Sequence, residues 1–287
     1  MERKLFVEIL VSAFFKWLEN HASLRAASLA YFIIMPLPSI FLIIMLILSQ
    51  LFGETNSFQT LMQHITTIVG PAIANLIHQI LETAATPFNS VVTSIVTIVL
   101  TLIGALGAFG VLQDTMNGIW GVTQVKLNLK QRLRRQLAPF LLISVLGLAV
   151  IVWTGITTFL LDFITISLIP LASNTILVLL QVVQFILSLA LATLLFMIMY
   201  KYIPNLSIRW KDVRLAAVFT GSIFTITNYL IGAILEVLTI TSVTGAAGAL
   251  MILLLWIYLI TLLIIYGAAF SKVYSEKMSL EVKNQEI

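Results

Sequence analysis

One helical face of the sequence ends in two side chains that could do chemistry. Positions three, four and seven apart lie on one side of an α-helix, so Gly107, Gly110, Asp114 and Asn117 share a face. Five basic residues follow closely, at Lys126, Lys130, Arg132, Arg134 and Arg135. A carboxylate and an amide at the end of a small-residue face leave three uses open. The face could pack helices, line a polar path, or determine on which side of a membrane the basic residues lie.

Other side chains suited to catalysis or metal binding are sparse. The chain has three histidines, His21, His64 and His78, and it has no cysteine. A structural zinc site needs about four such ligands and a catalytic one about three, and the sequence shows no such cluster. The short motifs of hydrolases, metalloproteases and nucleotide-binding proteins do not occur in it. We therefore expect no enzyme activity, no metal and no cofactor.

The composition predicts an all-α integral membrane protein. The 287 residues are 60% hydrophobic and 10% charged, and the mean hydropathy is +1.07. Soluble domains carry about 25% charged residues, so this chain could not cover a soluble surface. A helix needs about 20 apolar residues to cross the hydrocarbon core. The apolar runs predict six spans, at about 24–52, 91–117, 137–162, 175–200, 213–236 and 246–271.

The segments outside these spans are short. Residues 1–24 have apolar positions at helical spacing and predict an amphipathic helix that lies on the membrane surface or against the bundle. Residues 53–90 predict an extracytoplasmic segment of short interfacial helices, and residues 272–287 predict a cytoplasmic tail. The transmembrane domain then covers residues 25–271. Pro36 and Pro38 predict a kink in the first span.

The basic residues predict the orientation. All 16 Lys and Arg fall on one side of the six predicted spans, while the opposite loops and span ends carry only acids, at Glu54, Glu82, Asp162 and Glu236. Under the positive-inside rule, both termini are then cytoplasmic. The net charge of +4 is explained by these loops, so we expect no nucleic-acid partner.

Four of the predicted spans carry one stripe of small or polar residues each. Besides the face that ends at Asn117, the stripes include Gly221, Thr225, Asn228, Gly232 and Glu236 in the fifth span, Thr154 and Thr158 in the third, and Gln181 and Gln184 in the fourth. Polar groups that face lipid cost free energy, so these stripes face protein or water. They predict either a substrate path or close helix packing. The sequence leaves both alternatives open.

Five motifs carry a resemblance to a known family. They are A-A-S-L-A-Y at 26–31, D-T-M-N-G-I-W-G-V at 114–122, P-N-L-S-I-R-W-K-D-V at 204–213, the stretch from T-G-A-A-G-A-L at 244–259, and Y-G-A-A-F at 266–270. With these motifs the chain resembles the YihY/BrkB family of bacterial and archaeal membrane proteins, once labelled ribonuclease BN. Two departures are Ala269, where the family usually has Glu, and Arg214-Leu215-Ala216, where it often has Pro-Gly-Ala.

The resemblance implies a six-helix inner-membrane protein of a prokaryote that is involved in cell-envelope integrity. The polar stripes, the kinked first span and the interfacial segment favour translocation of a lipid or other amphiphile. Because the predicted spans have no charged residue at mid-membrane, we expect this translocation to be uncoupled from ions. Anionic headgroups would then be bound by Arg25, Arg132, Arg134, Arg135 and Arg214. The alternative is a non-transporting envelope scaffold whose basic cytoplasmic surface docks a partner. The expected partners are membrane lipids, with a second copy of the chain or an envelope protein as further partners.

Overall fold

The computed structural model describes residues 3–36, 78, 91–122, 137, 141, 145, 174–240 and 245–285. Within these residues the chain is helical and has no strand, which confirms the all-α class there. The helices are α1 (Arg3–Glu19), α2 (Ala22–Ile34), α3 (Val91–Trp120), α4 (Asn174–Tyr202), α5 (Trp210–Ile240) and α6 (Gly245–Gln285).

Three stretches of the described helices are long and apolar enough to cross a membrane. They are Val99–Trp120, Phe185–Tyr202 and Leu253–Ser279. They overlap the predicted second, fourth and sixth spans and extend past the predicted ends at 117, 200 and 271. Helix α2 is a shorter apolar helix, and α5 covers the predicted fifth span. The predicted third span and the segment 53–90 lie almost wholly outside the described residues.

The N-terminal helix is divided from the next one at Asn20 and His21. Helix α1 ends at Glu19 and α2 begins at Ala22, so the helix predicted over residues 1–24 has a break near its end. His21 adopts a left-handed conformation with φ of 50°, which interrupts right-handed helix geometry. The Asn20 side-chain amide donates to the Lys16 carbonyl at 2.8 Å and so satisfies one carbonyl at the end of α1.

The chain forms two compact units. The first unit contains Met1–Asn20, Gln113–Thr225 and Leu263–Ile287, and the second contains His21–Leu112 and Ile226–Leu262. Helices α3, α5 and α6 each contribute residues to both units.

The core of the first unit is aromatic. Phe219 and Phe270 stack with ring centroids 5.4 Å apart, and Phe270 also stacks on Tyr274. Each large apolar side chain that is fully buried stabilises a fold by about 1.5–3 kcal/mol. The fully buried side chains of this unit include Ile9, Met116, Ile119, Tyr200, Ile203, Val213, Ile265 and Phe270.

Small residues form the buried face of α2 in the second unit. Ala22, Ala26 and Ala30 recur every fourth residue, and all three are buried. The Thr261 hydroxyl of α6 lies 2.8 Å from the Tyr258 carbonyl of its own helix and 3.3 Å from the Ala26 carbonyl of α2. Small side chains allow such a close approach between two helices. The A-A-S-L-A-Y motif therefore supplies a close-packing face.

Helix α6 extends through the predicted cytoplasmic tail to Gln285. Lys272 pairs with Glu276 at 3.1 Å, one helical turn away. Lys277 forms an ion pair with Glu8 of α1. The Tyr266 hydroxyl donates to the Leu10 carbonyl at 3.1 Å. These contacts pack α1 against the C-terminal half of α6.

Candidate functional site

The D-T-M-N-G-I-W-G-V stretch ends α3 with a two-bond glycine cap. Gly121 has φ of +70°, a conformation that costs other residues free energy. Its N–H donates to the Gly118 carbonyl, and the Val122 N–H donates to the Asn117 carbonyl at 2.9 Å. This pattern satisfies carbonyls that the end of a helix otherwise leaves unpaired. The second glycine of the motif is therefore explained by backbone geometry.

Two side chains of α3 hold the loop between α4 and α5. The Gln113 amide donates to the Ile203 carbonyl at 3.0 Å. The Asn117 side-chain oxygen accepts a hydrogen bond from the Asn205 backbone N–H at 2.8 Å. Gln113 and Asn117 are both buried. Asn117, which the sequence analysis placed on a substrate path, thus fixes a loop, and Gln113 was missed altogether.

Lys201 lies over an aromatic pair at the end of α4. Its ammonium is 4.6 Å from the Trp210 ring centroid and 5.7 Å from that of Tyr202. The same ammonium donates to the Ile208 carbonyl at 2.8 Å. A cation above the face of an indole is attracted by the ring quadrupole. This lysine therefore links the end of α4 to the far end of the loop of residues 203–209.

Asp212 anchors the start of α5. Its carboxylate accepts two hydrogen bonds from Arg209, at 3.0 and 3.2 Å, and its backbone carbonyl accepts one from the Ser271 hydroxyl at 3.0 Å. The hydrogen bond and the charge of Asp212 raise the pKa of the Arg209 guanidinium above its ordinary value. The Arg209 side chain is 67% exposed, and the guanidinium is charged, as arginine is throughout proteins. It is a basic group at the surface that the sequence analysis did not single out.

Trp120 is the last residue of α3 and lies under a lysine of α6. The Lys272 ammonium is 5.2 Å from the Trp120 ring centroid. The indole N–H of Trp120 is buried and, within the described part of the chain, lacks a hydrogen-bond partner, as does that of Trp256. The Trp120 ring therefore contributes packing and a cation–π contact at the end of α3.

Tyr200 joins three helices of the first unit inside the bundle. Its hydroxyl lies 3.0 Å from the Thr220 hydroxyl of α5 and donates to the Ile264 carbonyl of α6 at 3.2 Å. Gly267 lies directly beside this group, and a Cβ at its position would overlap the Tyr200 and Thr220 oxygens. The glycine of the Y-G-A-A-F motif therefore makes room for a buried hydrogen-bond network.

Two glycines of the predicted substrate path are closely packed. A Cβ at Gly221 would lie 2.8 Å from the Thr193 hydroxyl and 3.1 Å from its backbone nitrogen. A Cβ at Gly107 would lie 2.6 Å from the Phe32 ring. The buried Thr225 hydroxyl donates to the Gly221 carbonyl of its own helix at 2.8 Å. At these three positions the stripes have the geometry of packing seams.

The remaining predicted residues are placed as follows. Gly110 and Asp114 lie half-buried on α3, and Asp114 takes part in an interaction. Arg25 is half-buried on α2, and Arg214 is exposed on α5. Five predicted residues lie on α4 and α5, but the structure does not describe their surroundings: Gln181, Gln184, Asn228, Gly232 and Glu236. Five others lie outside the described residues: Arg132, Arg134, Arg135, Thr154 and Thr158.

The described residues contain no group of three His, Asp or Glu that could hold a metal ion. His78 is half-buried, and His64 lies outside the description. The polar groups with defined partners are instead concentrated at the ends of α3, α4 and α5, where they close backbone turns.

Comparison with known proteins supplies the family. The family model described as Virulence factor BrkB matches residues 13–286, which is nearly the whole chain. The chain belongs to the BrkB family. It is accordingly a helical membrane protein, as the resemblance implied. No curated protein and no solved structure matches the chain.

The two positions at which this BrkB-family protein departs from the usual family residues differ in burial. Ala269, where the resemblance leads one to expect Glu, is completely buried in the first unit. Arg214, where Pro is often found, is exposed. A buried carboxylate is costly unless it is paired, so the alanine removes the need for a partner at that depth.

Proposed function

We propose that this BrkB-family protein translocates a lipid or other amphiphile across the cytoplasmic membrane of a prokaryote, without ion coupling and without enzymatic chemistry. The proposal includes six spans with both termini in the cytoplasm. The described apolar stretches supply three of these spans. The placement of all 16 Lys and Arg in the predicted cytoplasmic segments supports the orientation.

The observation that carries the proposal is the exposure of α4 between residues 182 and 190. Val183, Phe185, Ile186 and Ser188 point in different directions around the helix axis, and all four are exposed. A helix within a closed bundle buries at least one face. Farther along the same helix, residues such as Phe196 and Tyr200 are buried. Among the described residues, the half of α4 near Phe196 and Tyr200 is therefore buried, and the half from 182 to 190 has exposed side chains on several sides of the helix.

The exposed half of α4, from 182 to 190, has a polar side chain on one side and apolar side chains on the other sides. Ser188 and Ile186 lie on opposite faces of the helix, about 160° apart at 100° per residue. An amphiphile needs a polar surface for its headgroup and an apolar one for its chains. Gln184 and Gln181 lie about one and two turns from Ser188 in the sequence of α4, which supports a polar route along this helix.

A transport assay with matched variants tests the proposal. The protein is reconstituted in vesicles with a fluorescent phospholipid, and dithionite bleaches the label that reaches the outer leaflet. The protein should raise the bleached fraction above that of empty vesicles. Ser188→Phe fills the polar side of α4 and should slow this transfer, whereas Ile186→Phe enlarges the lipid-facing side and should not. Absence of transfer by the folded protein, for both phospholipids and isoprenoid phosphates, would contradict translocation.

Cysteine labelling tests the polar route independently. The chain has no cysteine, so Ser188→Cys and Ile186→Cys each provide a single thiol. A membrane-impermeant maleimide reacts with a thiolate that water reaches. If the open side of α4 is hydrated, the cysteine at 188 should react and the one at 186 should not. Equal, slow reaction at both positions would mean that lipid surrounds this half of the helix.

A specific observation favours the second candidate, a non-transporting envelope scaffold. Gly107 and Gly221 are packed against neighbouring side chains, and Thr225 bonds within its own helix. These positions therefore behave as seams. In this alternative, the exposed Arg209, Lys211 and Arg214 would dock an acidic partner. Purification that retains one stoichiometric partner, together with no transport, would favour the scaffold.

A further inference from the structure

Helix α1 presents an apolar stripe that the described residues of the first unit do not cover. Val7, Val11, Phe14, Phe15 and Leu18 are each 47–59% exposed. At 100° per residue these five positions fall within an arc of about 100°. The exposed residues therefore form one continuous surface along about three turns of the helix.

The rotation of α1 is fixed by contacts on its other side. Ile9 and Ala13, which lie opposite the stripe, are completely buried. Phe6 contacts the Phe270 ring edge-on at 6.2 Å. Together with the ion pair between Glu8 and Lys277, these contacts prevent α1 from turning its stripe into the first unit.

We propose that this stripe inserts into the interfacial region of the lipid bilayer, so that α1 lies in the membrane interface and packs against α6. The first argument is continuity. The Tyr266 hydroxyl bonds the Leu10 carbonyl, and Phe270 contacts Phe6. Tyr266 and Phe270 both lie in the apolar stretch Leu253–Ser279, which can cross a membrane. A helix packed beside such a stretch meets lipid on its outer side.

The second argument is the chemistry of α1. Phe14 stacks on Trp17 at 5.5 Å, and aromatic rings are enriched where headgroups meet hydrocarbon. Lys4 is exposed at one end of the stripe, whereas Lys16 is half-buried on the opposite side of the helix. A cation at the end of an apolar face suits a leaflet with anionic headgroups. The negative charge of Glu8 is offset by its ion pair.

The third argument separates lipid from a second copy of the chain. A large apolar side chain presents roughly 200 Å² in full, so five half-exposed ones present roughly 500 Å². A stable protein interface takes about 800 Å² from each partner. The stripe is thus too small for a dimer interface by itself, but it matches the narrow apolar face of an interfacial helix.

Spin labels at two adjacent residues test the insertion. The full-length chain carries a single nitroxide through Leu18→Cys or Glu19→Cys and is placed in nanodiscs of phosphatidylethanolamine and phosphatidylglycerol. Both native residues are exposed, and they differ by about 100° around the helix. Oxygen concentrates in lipid, and a neutral nickel chelate concentrates in water. The label at 18 should collide more with oxygen, and the label at 19 more with nickel.

Every other result overturns the proposal. If nickel reaches position 18 as readily as position 19, the stripe faces water. If neither reagent reaches position 18 and labels on two chains couple magnetically, a second copy covers the stripe. If neither reagent reaches it without such coupling, another protein segment covers it. The test does not depend on transport, because the protein can fail to move lipid while position 18 still lies in the bilayer.

Discussion

Replacing Gly267 with alanine should destabilise the first unit strongly for such a small change. The new Cβ would overlap the oxygens of Tyr200 and Thr220 and lie 2.8 Å from the Tyr200 ring carbon that bears the hydroxyl. The Tyr200 ring cannot swing into solvent to make room, because the side chain is completely buried. The tyrosine must therefore move, and it can do so only by losing its hydrogen bonds to Thr220 and Ile264.

The expected cost follows from three contributions. Overpacking of a buried site costs about 1–3 kcal/mol. A buried polar group that loses its partner costs about 1–3 kcal/mol. Alanine favours the helix over glycine by about 1 kcal/mol, which offsets part of this loss. The net effect is a destabilisation of about 1–5 kcal/mol. Thermal unfolding of the purified protein in detergent, followed by loss of the monodisperse chromatographic peak, measures it as a lower Tm.

Tyr200→Phe provides the matched background for this prediction. It removes the hydroxyl that the new methyl group would meet, so Gly267→Ala should cost less in that background than in the native chain. Residues in contact typically show coupling energies of about 0.5–3 kcal/mol in such a double-mutant cycle. An unchanged Tm for the single alanine variant would refute the reasoning. So would equal costs in the two backgrounds, because the loss would then not arise from contact with the Tyr200 hydroxyl.

Four further substitutions have defined outcomes in the same unfolding assay. Gly121→Ala should cost about 1–2 kcal/mol, because the residue must keep a positive φ; an unchanged Tm would mean that the cap does not need glycine. Asn117→Ala should cost about 1–3 kcal/mol by leaving the Asn205 N–H without its acceptor, and a neutral result would show that water replaces the amide. Gly221→Cys should cost about 1–3 kcal/mol through overpacking; tolerance there would argue against a seam. Asp114 is half-buried, and a partly exposed carboxylate contributes only about 0–1 kcal/mol through an ion pair, so Asp114→Asn should leave the protein folded; failed membrane insertion would contradict this expectation.

Patterns within one helix could be predicted from the sequence. The apolar runs predict helices where α3, α4, α5 and α6 occur, because burial in lipid requires long uninterrupted stretches of apolar side chains. The small-residue face of α3 likewise follows from helical spacing. Its partners do not, because spacing shows that Gly107 lies on a crowded face but not that Phe32 fills the space beside it.

Contacts between distant segments could not be predicted in this way. Asn117 and Asn205 are 88 positions apart, and no local rule of propensity or periodicity connects them. The sequence analysis placed Asn117 on a polar path because an amide on a small-residue face has several uses. The loop geometry shows one structural use of this amide, and the substrate path stays a prediction. Gln113 was missed for the same reason, since a lone glutamine inside an apolar helix has no spacing signal.

In the described residues, the motifs that carry the family resemblance mostly stabilise helix ends, loops and close helix packing. Gly121 closes a helix end, Asn117 holds a loop, and Gly267 makes room for a buried tyrosine. Substitutions at these positions should therefore lower stability before they alter any activity. We therefore expect substitutions chosen only from these motifs to produce mainly folding defects. The exposed surfaces of the described residues, namely α4 from 182 to 190 and the stripe of α1, are where we expect substitutions to change activity or membrane contact while the fold persists.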